Sequence, residues 1–135
     1  MQEKRIERLR EAMQQQGIPA LLITNAYNRT YVSGFTGSSG YVLMTLDRAF
    51  LLTDFRYMTQ APQQAKLFEV VEHKAKAIET VYELLKAEGI TKLGFEQSDV
   101  TYGDFLSYQQ GLPSITFVPT SRMVEFIRIV KDEAE

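Results

Sequence analysis

Cysteine is absent from the 135-residue sequence, and histidine occurs once, as His73. Without cysteine the chain has no disulfide framework, no thiolate nucleophile and no thiolate metal ligand. His73 stands alone between a predicted strand and a lysine-rich segment, which is typical of a residue at a strand end rather than of a metal ligand. Paired metal-binding motifs such as HExxH are also missing. The sequence therefore predicts no catalytic residue and no metal site in this chain.

The sequence also lacks a large excess of positive or negative charge. There are 15 basic and 17 acidic residues, the net charge is −2, and neither sign forms a long run. Nucleic-acid binding depends on clustered basic residues that neutralise phosphates. No apolar stretch reaches the length of about 20 residues that a membrane-spanning helix needs, and residues 1–16 are too highly charged for a signal peptide. We therefore expect a cytoplasmic protein that binds neither nucleic acid nor membrane.

A repeated order of helix, glycine and strand is present instead. The first amphipathic helix, at 3–16, carries Ile6, Leu9 and Met13 on one face and is followed by Gly17, a residue type that commonly ends helices. The same order recurs twice later, as helix 75–88 with strand 90–96 and as helix 101–111 with strand 114–118. Such alternation is typical of a sheet covered by helices.

Between the first two repeats the pattern changes. The apolar run 20–23 is predicted to be a buried strand that ends at Asn25 and Asn28. Further predicted elements are a hairpin of strands 41–45 and 49–53, a short helix within 55–65 and a strand at 68–71. The sequence thus predicts an α/β fold: one domain with a mixed sheet of about five to six strands, one hairpin, and helices on the faces of the sheet.

The glycine-rich stretch at 28–40, NRTYVSGFTGSSG, is the most distinctive part of the chain. A serine nucleophile at Ser38 or Ser39 would need a neighbouring base, and no nucleophile-elbow motif surrounds these serines. A phosphate-binding loop would be followed by Lys-Ser/Thr and a helix, whereas a strand follows here. The pattern favours a loop that packs at an interface.

A second polar segment, Asp54 to Tyr57, follows the hairpin directly. Asp54 and Arg56 are two residues apart, so their side chains can point to the same side. Two interpretations stay open: a structural ion pair, or an Arg56 guanidinium that binds a carboxylate of a ligand or another subunit.

These segments resemble the N-terminal domain of the creatinase/prolidase family, which includes Xaa-Pro dipeptidases and Xaa-Pro aminopeptidases. The resemblance rests on 28–40, on Leu51-Leu52-Thr53-Asp54-Phe55-Arg56-Tyr57 followed by Gln60-Ala61, and on the ending Arg128-x-x-Lys131-Asp132-x-x-Glu135. With the opening helix, it covers essentially the whole chain in the family's order. Val32 stands where the family commonly has leucine.

The resemblance implies a longer, two-domain protein. Residues 1–120 would form the ribonuclease H-like N-terminal domain, and 121–135 would begin the helix that leads to a C-terminal metallopeptidase domain. That second domain would hold two divalent metals, manganese or cobalt, with two Asp, one His and two Glu, and would hydrolyse the bond before a proline through a metal-activated water. The apolar strands of this chain offer no clustered carboxylates, so we expect no nuclease chemistry either.

The resemblance also implies how this domain would contribute. It would shape the active-site entrance for a peptide substrate and support a homodimer, with Phe35, Thr36, Ser38 and Ser39 near the neighbouring subunit's cleft. Arg56 and Tyr57 would lie at the functional edge. Two other hypotheses remain open: a non-catalytic binding module, like the related domain of a histone-chaperone subunit, and the N-terminal domain of a creatinase-like amidinohydrolase.

Overall fold

The computed structural model describes the backbone of residues 2–134 and the side chains of residues 2–129. The side chains of Lys131, Asp132 and Glu135, which form part of the third family signature, lie outside the described residues. Within 2–134 no helix is both long enough and apolar enough to cross a membrane.

Six α-helices and six strands lie along the described chain, with β2 and β3 following each other directly as a hairpin. In order they are α1 (Gln2–Gln15), β1 (Ala20–Ile23), α2 (Ala26–Ser33), β2 (Tyr41–Thr45), β3 (Ala49–Thr53), α3 (Gln60–Gln64), β4 (Glu69–Glu72), α4 (Ala77–Ala87), β5 (Lys92–Glu96), α5 (Tyr102–Gly111), β6 (Thr116–Thr120) and α6 (Met123–Ala134). A short 3-10 helix, Phe55–Tyr57, lies between β3 and α3.

The strands form one mixed sheet in the order β4-β3-β2-β1-β5-β6. Strand β2 runs antiparallel to both β1 and β3, whereas the remaining neighbouring pairs are parallel. The predicted mixed sheet with one hairpin and flanking helices is confirmed. Because β2 is reversed, the start of β2 lies at the same edge of the sheet as the ends of β1, β3 and β5.

Side chains on the two faces of the sheet enter two separate cores, as the alternation of a strand requires. On one face, Leu21 and Ile23 pack in a core that includes side chains of α1, α2 and α6. On the other face, Ala20 and Leu22 pack with side chains of α4. The first half of α6 is part of this fold, since Ile127 is buried in the first core. The division at residue 120 stays a prediction.

One boundary prediction was wrong. Asn28 does not end β1 but lies inside α2, which begins at Ala26. Asn25 is the N-cap of that helix, and its side chain accepts a hydrogen bond from the backbone N–H of Asn28. A short polar side chain that satisfies an open helical N–H is a common start signal, so the two asparagines have different positions and different roles.

We predict that Met13→Ala lowers the free energy of unfolding by about 2–5 kcal/mol, because truncating a buried side chain removes packing and leaves a cavity. Met13 is fully buried between α1 and the sheet. Urea unfolding measures the change. The neighbouring exposed position supplies the control: Gln14→Ala should change the free energy by no more than about 0.5 kcal/mol. Equal effects at the two positions would contradict the assignment of the buried face.

Candidate functional site

The end of β3 and the connection from α2 to β2 meet at one edge of the sheet, where β1 and β5 also end. The fold therefore brings together the two segments that the sequence singled out, 35–39 and 54–57. In α/β sheets the loops at the carboxyl ends of strands commonly form binding sites. We call this surface the polar edge, defined by residues 35–39 and 54–57.

A buried arginine holds the turn of the polar edge in place. Arg29, on α2, donates hydrogen bonds from Nη2 to the carbonyl oxygen of Gly37 at 2.8 Å and from Nη1 to that of Gly40 at 3.0 Å. Thr53, the last residue of β3, donates to the carbonyl oxygen of Ser39 at 2.7 Å. Burial lowers the pKa of the Arg29 guanidinium, but arginine retains its charge in proteins. The turn is thus fixed from two sides.

The buried side chain of Phe35 packs against this turn from the core side. The ring of Phe35 is fully buried and makes an edge-to-face contact with Tyr57, at 5.5 Å between ring centroids. A Cβ atom added at Gly37 would overlap Cζ of the Phe35 ring. A side chain at this position would force the Phe35 ring or the turn to move, because the backbone and the ring are in close contact.

The exposed groups of the turn are polar. The Ser38 and Tyr57 hydroxyls are 2.5 Å apart, and the hydrogen bond from Ser38 lowers the pKa of the Tyr57 phenol. The backbone N–H of Thr36 donates to Oε1 of Gln64 at 3.0 Å. Ser38 therefore pairs with a phenol and not with a base, so the structure gives no support to a serine nucleophile.

Arg56 and Asp54 form an ion pair with two parallel hydrogen bonds. Arg56 donates from Nε and Nη2 to the two carboxylate oxygens of Asp54, at 2.9 and 2.8 Å. The pair lowers the pKa of Asp54 and raises that of Arg56. The Arg56 side chain remains 56% exposed, against 20% for Asp54. The ion pair between Asp54 and Arg56 is thus present in the structure. That Arg56 binds a carboxylate of a ligand or another subunit stays a prediction.

A second polar assembly lies beside the polar edge, and the sequence analysis missed it. Glu96, at the end of β5, is buried and accepts hydrogen bonds from the backbone N–H groups of Thr24 and Asn25 at 2.7 and 2.9 Å. It also accepts from Nδ2 of Asn28 at 2.6 Å. Burial raises the pKa of Glu96, while these donors act in the opposite direction. The sequence does contain one indication of this buried carboxylate: Glu96 directly follows the apolar run Leu93-Gly94-Phe95.

Metal ligands are not assembled in the part of the chain whose side chains are described. Across 2–129 no group of three or more His, Asp or Glu side chains could hold a metal ion. His73 is half-buried, and its Nδ1 lies 2.6 Å from the carbonyl oxygen of Lys74. Glu96 is a single buried carboxylate bound by N–H donors, not a member of a metal cluster.

Comparison with known families decides what kind of domain this is. The model of the creatinase/prolidase N-terminal domain matches residues 5–130. The chain belongs to the creatinase/prolidase N-terminal domain family.

Relatives of this domain are described as peptidases. The uncharacterized peptidase YqhT of Bacillus subtilis is 40% identical over 131 residues, which cover 97% of this chain and 37% of YqhT. The structure of an Xaa-Pro dipeptidase from Bacillus anthracis has a TM-score of 0.90 and 41% identity, covering 95% of this chain and 36% of that one. The chain therefore spans little more than a third of the length of these relatives.

The same fold has been solved as a separate domain. The N-terminal domain of the cytoplasmic peptidase PepQ from Mycobacterium tuberculosis matches with a TM-score of 0.85 and 34% identity, over 93% of this chain and 98% of that one. The chain therefore corresponds to nearly the whole of a domain whose structure has been solved on its own.

We predict that Gly37→Ala destabilises the fold by about 1–3 kcal/mol, the usual range for a side chain forced into a packed site. The added methyl must displace the Phe35 ring and, with it, Tyr57. Urea unfolding measures the loss, and the near-ultraviolet circular dichroism of the tyrosines should change.

Gly103→Ala is the matched control. Gly103 lies in the first turn of α5, and a Cβ atom there meets nothing within 4 Å. Because alanine favours helix over glycine, this change should be neutral or stabilising by up to about 1 kcal/mol. A Gly37→Ala variant as stable as the wild type would show that the turn can open around the methyl group.

Proposed function

We propose that this chain is the non-catalytic N-terminal domain of a metal-dependent Xaa-Pro peptidase and that it shapes the entrance of the active site. The observation that carries the proposal is the polar edge: a turn fixed by Arg29 and Thr53 beside an exposed Arg56. It occurs in a family whose relatives include an Xaa-Pro dipeptidase. A preorganised rim of this kind suits the selection of short peptides, because a rigid site rejects ligands that do not fit.

The chemistry of the polar edge fits a peptide terminus. The planar guanidinium of Arg56 can bind a carboxylate with two hydrogen bonds, and the Ser38 and Tyr57 hydroxyls are polar neighbours on the same surface. In the structure the guanidinium of Arg56 already donates two hydrogen bonds to the carboxylate of Asp54. Because the Arg56 side chain is 56% exposed, a substrate carboxylate can approach the guanidinium and share it with Asp54.

Dimerisation is part of the proposal. Phe55 and Tyr27 are 75% and 79% exposed, and both lie at the same edge of the sheet as the polar edge. Large exposed aromatic side chains are enriched where two protein surfaces meet. They support a homodimer in which the turn of one subunit lies near the cleft of the other. The two metals, manganese or cobalt, would belong to the C-terminal domain of the longer protein.

We predict that Arg56→Ala in the full-length protein lowers kcat/KM for an Xaa-Pro peptide by roughly tenfold, the loss that corresponds to one substrate contact. The melting temperature should move by no more than about 3 °C, because the lost ion pair is exposed. Steady-state kinetics and thermal unfolding measure the two effects on the same preparation.

Arg48→Ala is the control for this experiment. Arg48 is also exposed and paired, with Glu69 and Glu88, but it lies at the hairpin turn and away from the polar edge. Its replacement should leave kcat/KM unchanged. If Arg56→Ala instead reduces the melting temperature strongly with unchanged kinetics, Arg56 has only a structural role.

A further prediction separates this domain from the catalytic one. The 135-residue chain with manganese should not cleave Gly-Pro or another Xaa-Pro peptide, whereas the full-length protein should, because hydrolysis requires the metal-binding domain. Release of the N-terminal residue is followed by chromatography. Metal-dependent cleavage that co-purifies with the 135-residue chain would overturn the proposal.

A further inference from the structure

Asn28 is a buried amide whose hydrogen-bonding groups are all occupied. Its side chain donates from Nδ2 to Glu96 at 2.6 Å and to Glu125 at 3.1 Å. Its Oδ1 accepts from Nη1 of Arg128 at 2.8 Å. The residue has no exposed surface. One amide therefore joins three elements: α2, on which it lies, β5 through Glu96, and α6 through Glu125 and Arg128.

The charges around Asn28 fix the orientation of this amide. Its NH2 group faces two carboxyl groups, and its oxygen faces a guanidinium. The NH2 group can only donate and the oxygen can only accept, so the reversed orientation would place donor against donor and acceptor against acceptor. The Asn28 amide thus bridges the Glu96 carboxylate and the Arg128 guanidinium, with one hydrogen bond to each.

Directional contacts matter for the first part of α6, residues 123–129, because the other core contacts described there are apolar. Met123, Val124 and Ile127 bury its inner face in the core. Hydrophobic contacts are non-directional and tolerate small rotations and shifts, whereas hydrogen bonds weaken steeply when their angles change. The bonds of Asn28 with Glu125 and Arg128 therefore restrain the rotation of this part of α6 about its own axis.

We infer that Asn28 is a positioning residue: it fixes the direction of α6 and, through α6, the orientation of the catalytic domain relative to the polar edge. The part that concerns the catalytic domain rests on the proposed function. The part that concerns α6 can be tested on this chain alone.

The test exchanges the polarity of the contact between Asn28 and Glu96. Asn28→Asp places two carboxylates together, and Glu96→Gln places two NH2 groups together, so each single change should loosen α6. In the double variant, the amide introduced at position 96 can still accept from Thr24 and Asn25 through its oxygen. Its NH2 group donates to the carboxylate introduced at position 28, whose second oxygen accepts from Arg128.

The double variant also retains the net charge of the wild type, since one carboxylate is gained and one is lost. Only the contact of position 28 with Glu125, which becomes repulsive, is not restored. Recovery in the double variant is therefore expected to be partial.

Hydrogen exchange of the α6 amides measures the outcome. Each single variant should exchange at these amides roughly 5–30-fold faster than the wild type, as expected when about one buried hydrogen bond is lost. The double variant should recover at least half of that protection on a logarithmic scale. Unchanged exchange in α6 of both single variants, or no recovery in the double variant, would overturn the inference.

Asn25→Asp is the matched control, because it makes the same chemical change three residues away, at a side chain whose carboxylate neighbour is Asp99. Asn25 contacts Glu96 through its backbone and Asp99 through its side chain, and it retains its capping oxygen as aspartate. Exchange in α6 should stay within about twofold of the wild type. If Asn25→Asp loosens α6 as much as Asn28→Asp does, the effect comes from added negative charge and not from the bridging amide.

The second arm uses the full-length protein. Asn28→Asp should lower kcat/KM for an Xaa-Pro peptide, and the double variant should restore part of it. Faster exchange in α6 with unchanged kinetics would mean that Asn28 holds α6 but does not position the catalytic domain. A wild-type protein that cleaves no Xaa-Pro peptide would refute the proposed function while leaving the result for α6 to be judged by exchange alone.

Discussion

The interaction on which the polar edge depends is the pair of hydrogen bonds from the buried Arg29 guanidinium to the carbonyl oxygens of Gly37 and Gly40. A glycine-rich turn has a large conformational entropy to lose when it becomes ordered. A buried cation is also costly unless acceptors surround it. The carbonyl oxygens of Gly37 and Gly40 stabilise the charge through the two Nη groups, and the guanidinium holds those carbonyl oxygens in place, while Nε of Arg29 is buried with no hydrogen-bond partner among the described residues. The flexibility that glycine usually provides is therefore removed, and glycine serves for close approach to Phe35 instead.

The reversed strand β2 explains why two distant sequence segments meet. If β2 were parallel to its neighbours, residues 35–39 would lie at the opposite edge of the sheet from Asp54 and Arg56. Because β2 is antiparallel, the turn before it and the segment after β3 share one edge. The hydrogen bonds from Thr53 to Ser39 and between Tyr57 and Ser38 then join the two segments directly. Topology, rather than any local motif, assembles the polar edge.

Hydrophobic periodicity and glycine positions were sufficient to predict the sheet, the hairpin and the helices other than α2, since these depend on which face of each element is apolar. The sequence singled out 35–39 and 54–57 separately, and their meeting at one edge is a consequence of the reversed strand β2. The buried polar residues could not be predicted in this way. Glu96 ends β5 and Asn28 lies in the first turn of α2, positions where polar side chains are exposed by default, so the sequence wrongly predicts Asn28 at the end of a strand. Asn28 also contacts α6, which is distant in sequence, so its environment is not visible in the local sequence pattern.

Arg29 and Asn28 are adjacent on α2, and this adjacency links the two polar assemblies. Successive residues of an α-helix point about 100° apart, so one short helix directs Arg29 toward the turn and Asn28 toward β5 and α6. A rotation of α2 that improved one set of contacts would disturb the other. The asparagine cap at residue 25, bound to the same Glu96 carboxylate through its backbone, restricts that rotation further. The polar edge and α6 are therefore held in register by a single eight-residue helix, which gives the adjacent pair Asn-Arg a physical reason to occur together.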